Sequence, residues 1–387
     1  MTTPVPPDAA PRYEPISFSD LDGWADDDQL AAFKAFCKSC RRLRSLTVAR
    51  DGVSAVVDTG LEGACAAALG FSRHKMTPSE ARTFFETWFS PHRMVHDGPA
   101  GFLTGYYEPL LEGSRERSDR FKVAIYRRPP DLENVVAESE RGAKAGALTH
   151  VKRTSRGTEP YATRAEIEQG ALAGRGLELI WLADAVDAFF MHVQGSGRIR
   201  LTDGSRIRIT YDGKNGHLYV SVGRTLIETG EMAADEMSLQ KLGCWLRADV
   251  ERGRRAMQRN PSFVFFRELA GSEAGSALGA MDIPLTAGRS LAVDTTLHAL
   301  GTPIWASSDE VRHAGARGDG TTGFRRLMIA QDVGSAIRGP ERGDIYFGSG
   351  ALAGERAGKT RHPGSFVVLK AKSPSGPPRL PDQRAGP

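Results

Sequence analysis

DVGSAIRGPERGDIYFGSG, residues 332–350, is the stretch whose reading decides the fold. Asp332 and Asp344 flank a glycine-rich turn, and Asp344 opens the apolar run 345–347, which has the composition of a strand. That spacing holds Asp344 at a strand end rather than on a loop tip. Aspartate beside glycine ordinarily caps a backbone N–H and does no chemistry. Asp344 is the more interesting of the two, because Ile345 and Tyr346 give it apolar neighbours, and these disfavour a charged carboxyl. A raised pKa is what a general acid needs at neutral pH.

Working outward, Asp294 closes the apolar run 291–293, and further short runs lie at 262–266, 303–306, 327–330 and 365–369. With 344–347 they make six short strands separated by glycine-rich turns, which predicts a small closed barrel with three aspartates at strand ends. Upstream, residues 25–95 read as helical. Leu30, Phe33, Phe36, Cys37 and Cys40 recur at helical spacing. Thr77-Pro78-Ser79-Glu80 is a capping box with proline at the first helical position, followed by the stripe Phe84, Phe85, Trp88 and Phe89.

The middle section is mixed. Residues 205–211 alternate as a half-buried strand should, a second capping box spans Thr163 to Glu166, 177–182 suits a buried strand, and 238–259 reads as helix. The expected class is mainly β with a helical N-terminal part. The proline-rich start, 1–14, and the Pro/Gly/Ser/Arg-rich tail, 372–387, are expected to be disordered.

Composition sets the outer bounds. The chain has 387 residues, 40% hydrophobic and 25% charged, enough for two cores. A net charge of +4 favours a polyanionic neighbour, whether cell wall, nucleic acid or membrane surface, but the basic residues are spread along the chain. No stretch approaches the roughly 20 apolar residues of a membrane-spanning helix. The start lacks the order of a secretory signal. Of Cys37, Cys40, Cys65 and Cys244, the first two sit on an apolar helix face; core packing is the favoured reading, a Cys40–Cys65 disulfide the next, and redox chemistry the last.

Other chemistries find no support. Residues 354–360 resemble a phosphate-binding loop but are one residue short between the glycines. The nine histidines form no metal-ligand pattern, so neither metal nor cofactor is expected. Gln194-Gly195-Ser196-Gly197 has the wrong spacing for a serine nucleophile and reads as a tight turn, structural or ligand-facing.

The chain resembles the membrane-bound lytic murein transglycosylase A family, MltA, over residues 80–371. The resemblance rests on GYYEP at 105–109, AEIEQGAL at 165–172, HVQGSGRI at 192–199, YDGKNGHLYVSVG at 211–223, NPSFVFF at 260–266 and the 332–350 block. It implies a double-psi β-barrel, the 3D domain named for aspartates that fall here on Asp294, Asp332 and Asp344. The main domain would comprise 15–110 and 257–371, with a β-rich insert at 111–256 and a substrate groove between the two.

By the same resemblance the reaction is a carbon–oxygen lyase cleavage of peptidoglycan between N-acetylmuramic acid and N-acetylglucosamine, leaving 1,6-anhydro ends. Asp344 would be the acid and then the base, and Asp332 would orient the site or stabilise positive charge. Tyr106 and Tyr107 could offer ring faces to sugars, though adjacent strand residues point opposite ways, so one of them is expected to do so. Gln194, Ser196, Lys214, Asn215 and Asp294 are candidate polar contacts. The expected setting is the periplasm, with outer-membrane association as a variant, and the chain is expected to be a monomer. Its partners would be glycan strands and cell-wall synthesis or division proteins, not nucleic acid. The family's lipid-anchor cysteine has no counterpart near the start, since the first cysteine is Cys37. Two competing readings stand beside this one: a hydrolase using Asp332 and Asp344 as a pair, and a noncatalytic wall-binding module.

Overall fold

The computed structural model describes residues 11–48, 60–71, 76–136, 148–270, 275–311, 323–334 and 336–372. Strand β1 (Arg12–Pro15) precedes helices α1 (Gln29–Val48), α2 (Glu62–Phe71) and α3 (Pro78–Trp88), and β2 (Phe89–Val95) and β3 (Phe102–Glu108) follow. The middle section holds β4 (Leu110–Ser114), β5 (Val123–Tyr126), β6 (Leu132–Asn134), β7 (His150–Thr154), β8 (Gly157–Glu159), α4 (Arg164–Glu166), β9 (Glu178–Leu182), α5 (Ala185–Gln194), β10 (Ser196–Leu201) and β11 (Arg206–Lys214). It closes with α6 (Val222–Glu228), α7 (Leu239–Ala248), α8 (Val250–Gln258) and β12 (Val264–Leu269). The C-terminal part contributes β13 (Ser290–Ala292), β14 (Pro303–Ser308), β15 (Phe324–Asp332), β16 (Arg342–Ser349), α9 (Ala351–Lys359), β17 (Arg361–Pro363) and β18 (Ser365–Ala371).

Three sheets result. A nine-stranded mixed sheet runs β1-β2-β18-β14-β15-β13-β16-β3-β17, with β13–β15 and β16–β3 parallel. A six-stranded sheet runs β12-β11-β10-β4-β9-β5, and a small one β6-β7-β8. The molecule is thus mostly β with a helical N-terminal part.

The helices cover one face of the large sheet because α1 is amphipathic. Phe33, Phe36, Cys37, Cys40 and Leu43 recur every three or four residues and bury against Ala64, Cys65 and Ala68 of α2, Phe84 and Phe85 of α3, and Leu327 and Ile329 of β15. Each large side chain so buried contributes about 1.5–3 kcal/mol. Polar bonds fix the docking: buried Gln331 donates to Ala35 O and Ser39 Oγ of α1 and accepts from Ser290 Oγ. The strand that ends in Asp332 is therefore anchored to α1 one residue earlier.

Both capping boxes form as read, at Thr77/Glu80 and Thr163/Glu166. Four expectations change. Residues 89–95 are strand, not helix; Pro91 cannot continue α3, and the chain pairs with β18. Residues 12–14 of the expected disordered start, with Pro15, pair with β2, a partner some 80 positions away that local composition cannot reveal; residues 1–10 and 373–387 lie outside the described residues. The strand expected at 262–266 begins at Val264 and pairs with β11 in the six-stranded sheet rather than joining the barrel. Cys40 and Cys65 form a disulfide, whereas Cys37 is the buried core cysteine expected. Residues 354–360 lie largely within α9, so the run that resembled a phosphate loop is no loop.

Candidate active site

Register across the large sheet builds the site. Ala292 of β13 pairs on one side with Asp332 of β15 and on the other with Asp344 of β16, and Asp344 pairs in turn with Thr104 of β3. Directly paired residues present their side chains on the same face, so one row reads Asp332, Ala292, Asp344, Thr104. With strands about 4.8 Å apart, the two aspartate Cα atoms are separated by about 10 Å. The residue between them is alanine, so only a methyl group stands between the two aspartates in the row.

The two carboxyls are held differently. Asp344 Oδ1 accepts from Thr104 Oγ1 at 2.6 Å. Among the described residues no group binds its Oδ2. Burial raises its pKa above 3.8, against the Thr104 hydroxyl and the Arg342 guanidinium, which favour the charged form. Arg342, two residues earlier on the same strand face, donates to Gly343 O at 2.6 Å. Asp332 is more fully engaged: Oδ2 accepts from Tyr106 Oη at 2.7 Å, and Oδ1 from Ala280 N at 3.0 Å and Val333 N at 2.9 Å. Burial nonetheless pushes its pKa up to about 6, with the Asp344 charge adding to the rise.

Tyr106 and Tyr107 divide as alternation requires. The Tyr106 ring lies 5.2 Å from that of Tyr346, on the aspartate face. Tyr107 points the other way, onto α9, where a side chain at Gly354 would meet its ring at 2.8 Å. Its backbone N–H donates to Gln194 Oε1 at 3.0 Å, so Gln194 fastens the insert to β3.

Of the remaining candidates, Asp294 follows Val293, whose N–H donates to Asp332 O at 3.1 Å, and the others lie on or beside β10 and β11. Asp294 is 5% exposed and accepts from Thr296 N, Thr296 Oγ1, Arg338 and Gly339 N at 2.7–3.1 Å. Burial alone would raise its pKa, but these donors outweigh it and the pKa is lowered. Asn215 is fully buried; its amide donates to Ala162 O and Pro261 O and its carbonyl accepts from Phe263 N, all at 2.8 Å. Ser196 and Lys214 are buried at the ends of β10 and β11. Gly195 ends α5 with φ 76°, and at Gly216 (φ 86°) a side chain would strike His150 O at 2.1 Å, so these turns demand glycine for structural reasons.

Sequence reasoning missed Thr104, the Ala280 N–H, Arg342 and the pair Glu108–Arg208. The available signal was Thr104, Tyr106 and Glu108 at alternate positions of one strand. Among the described residues no group of three or more His, Cys, Asp or Glu is placed to hold a metal ion, and no helix is long and apolar enough to cross a membrane.

Comparison with known proteins places this geometry. The MltA specific insert domain matches residues 102–267 and the 3D domain matches 289–370. The membrane-bound lytic murein transglycosylase A of Escherichia coli K12 is 36% identical over 276 residues, 71% of this chain and 67% of that protein. The chain belongs to the MltA family. It is an enzyme of the lytic murein transglycosylase type, acting on peptidoglycan. Among solved MltA-family structures, the membrane-bound lytic murein transglycosylase of Agrobacterium tumefaciens superposes with a TM-score of 0.81 at 36% identity, covering 93% of this chain and 97% of that one. E. coli MltA with bound chitohexaose superposes at 0.63 with 29% identity, covering 94% and 92%. The MltA matches span both the insert and the row of aspartates.

Proposed function

We propose that this enzyme cleaves the β-1,4 bond between N-acetylmuramic acid and N-acetylglucosamine without water, with Asp344 as acid and then base. The observation that carries the reading is the inequality of the two carboxyls: among the described residues Asp344 has one donor, on Oδ1, and its Oδ2 has none, while both oxygens of Asp332 are engaged. A hydrolase needs a second carboxylate free to activate water or attack, and Asp332 is poorly placed for that.

In the proposed cycle, protonated Asp344 gives its proton to the glycosidic oxygen as the C1–O bond breaks, and the N-acetylglucosamine leaves with a 4-hydroxyl. The muramyl 6-hydroxyl then attacks C1, and its proton passes to the Asp344 carboxylate, restoring the acid. No water enters the balance, and the attacking group is already attached to the sugar, which gives it a high effective concentration. Ionised Asp332, held by Tyr106, stabilises the positive charge that develops at C1.

The glycan would lie between the large sheet and the insert. The chitohexaose complex of the E. coli relative supports a sugar-chain ligand. A double-psi barrel topology for the large sheet is part of the proposal, supported by its parallel β13–β15 and β16–β3 pairs. So is a periplasmic setting, as the substrate demands, in line with the membrane-bound relatives. The test is digestion of purified peptidoglycan by wild type and Asp344→Asn, with products read by mass spectrometry. Anhydro ends that vanish in the variant are expected; reducing muramic acid ends would establish hydrolysis, and wild-type release by Asp344→Asn would overturn the assignment.

A further inference from the structure

Alternate residues of β3 each grip a different part of the molecule. Thr104 holds Asp344, and Tyr106 holds Asp332. Two residues further on, Glu108 is completely buried and meets Arg208 of β11, itself 1% exposed. Arg208 Nε donates to Glu108 Oε1 at 2.5 Å and a terminal nitrogen donates to Oε2 at 2.9 Å. Ser349 Oγ, at the end of β16, donates to the same Oε2 at 2.6 Å, and Gly350 N donates to the Glu108 carbonyl at 2.9 Å. Arg198 of β10 stands 3.7 Å away.

One carboxylate thus ties the strand bearing Asp344 to the six-stranded sheet of the insert. A buried ion pair contributes little net stability against apolar alternatives of the same shape, because both ions must be stripped of water. What a two-pronged Arg–carboxylate contact does supply is a fixed geometry. The geometry points to Glu108–Arg208 as a positioning pair that sets the distance between the aspartate row and the insert, and so the width of the groove for a long glycan. This rests on the groove placement proposed above. A strand long enough to touch both walls feels that distance, whereas a short oligomer resting on one wall does not.

The test is calorimetric binding of the hexamer and the trimer of N-acetylglucosamine to the full chain in an Asp344→Asn background, with and without Glu108→Gln. Glu108→Gln is expected to weaken the hexamer about tenfold and leave the trimer within about twofold, since small misplacements are costly only where both walls engage. The hexamer-to-trimer preference then shrinks. A merely structural role would reduce the binding-competent fraction for both ligands and leave their relative affinities as in the parent. A folded Glu108→Gln variant with the parent's preference overturns the proposal. Should that variant lack a cooperative melt, Arg208→Lys and Ser349→Ala decide: the former keeps the charge but loses the two-pronged contact, and the latter removes only the β16 arm. Each is expected to narrow the preference by a smaller factor, and the parent's preference in both overturns the pair's role. Cleavage by the Asp344→Asn background would instead count against the catalytic assignment, and the binding preference would still report on Glu108.

Discussion

Among the described residues, four donors reach the Asp294 carboxylate and one hydroxyl reaches that of Asp344. Both side chains belong to the same C-terminal domain, and burial pushes both toward the neutral form. Between these two the donors differ. At Asp294 they hold the anion and stitch the 338–339 turn to the end of β13; at Asp344 they are too few, and the proton is retained more readily.

The largest expected effect tests the Asp344 side. Asp344→Asn should lower anhydro-end release by about 10³-fold, the scale of a general acid used in both half-reactions, with thermal unfolding unchanged in cooperativity. Asp294→Ala should do the reverse, losing about 2–3 kcal/mol in denaturant titration because buried donors are left unpaired, while the folded fraction keeps its turnover. A stable but inactive Asp294→Ala would break the comparison.

Asp332 sharpens the comparison: three donors reach it, fewer than at Asp294 and more than at Asp344, yet burial still raises its pKa. Its folded pKa of about 6 exceeds the ordinary 3.8, so the native state binds more protons between those values. The stability this contributes is complete below about pH 4 and is lost as pH rises through 6. Asp332→Asn should flatten that slope in pH-dependent unfolding and be more stable than wild type at pH 8 by about 1–3 kcal/mol, a range discounted for partial exposure. Smallest of all, Asp344→Asn should bring the Asp332 pKa below its wild-type value, because the neighbouring charge is one contributor to the rise; carboxyl carbon NMR titration reads this directly. An unmoved or higher value would mean that the row does not couple its two carboxyls.

Asp332 and Asp344 were legible in the sequence because they are marked locally, bordering one glycine-rich turn. The helical N-terminal part was legible through caps and periodicity. What escaped depended on pairing over distance. The strand at Val264 has the same local look as a barrel strand, and only its register with β11 assigns it to the other sheet. The turns at Gly195 and Gly216 look like ligand loops for the same reason that they are structural, namely that positive φ favours glycine in either case. Asn215, a candidate polar contact on a glycine-rich turn, satisfies three backbone groups in the interior. Glu108 and Arg208, 100 residues apart, carry no mark of their partnership in the linear chain.

The Cys40–Cys65 cross-link, with a sequence separation of 25, joins α1 to α2. Closing such a loop takes about 3 kcal/mol of freedom from the unfolded ensemble, and the bond endures only where thiols are not kept reduced. Two preparations of identical sequence, one matured in an oxidising compartment and one in a reducing cytosol, will therefore melt at different temperatures. A thiol count before the melt tells them apart.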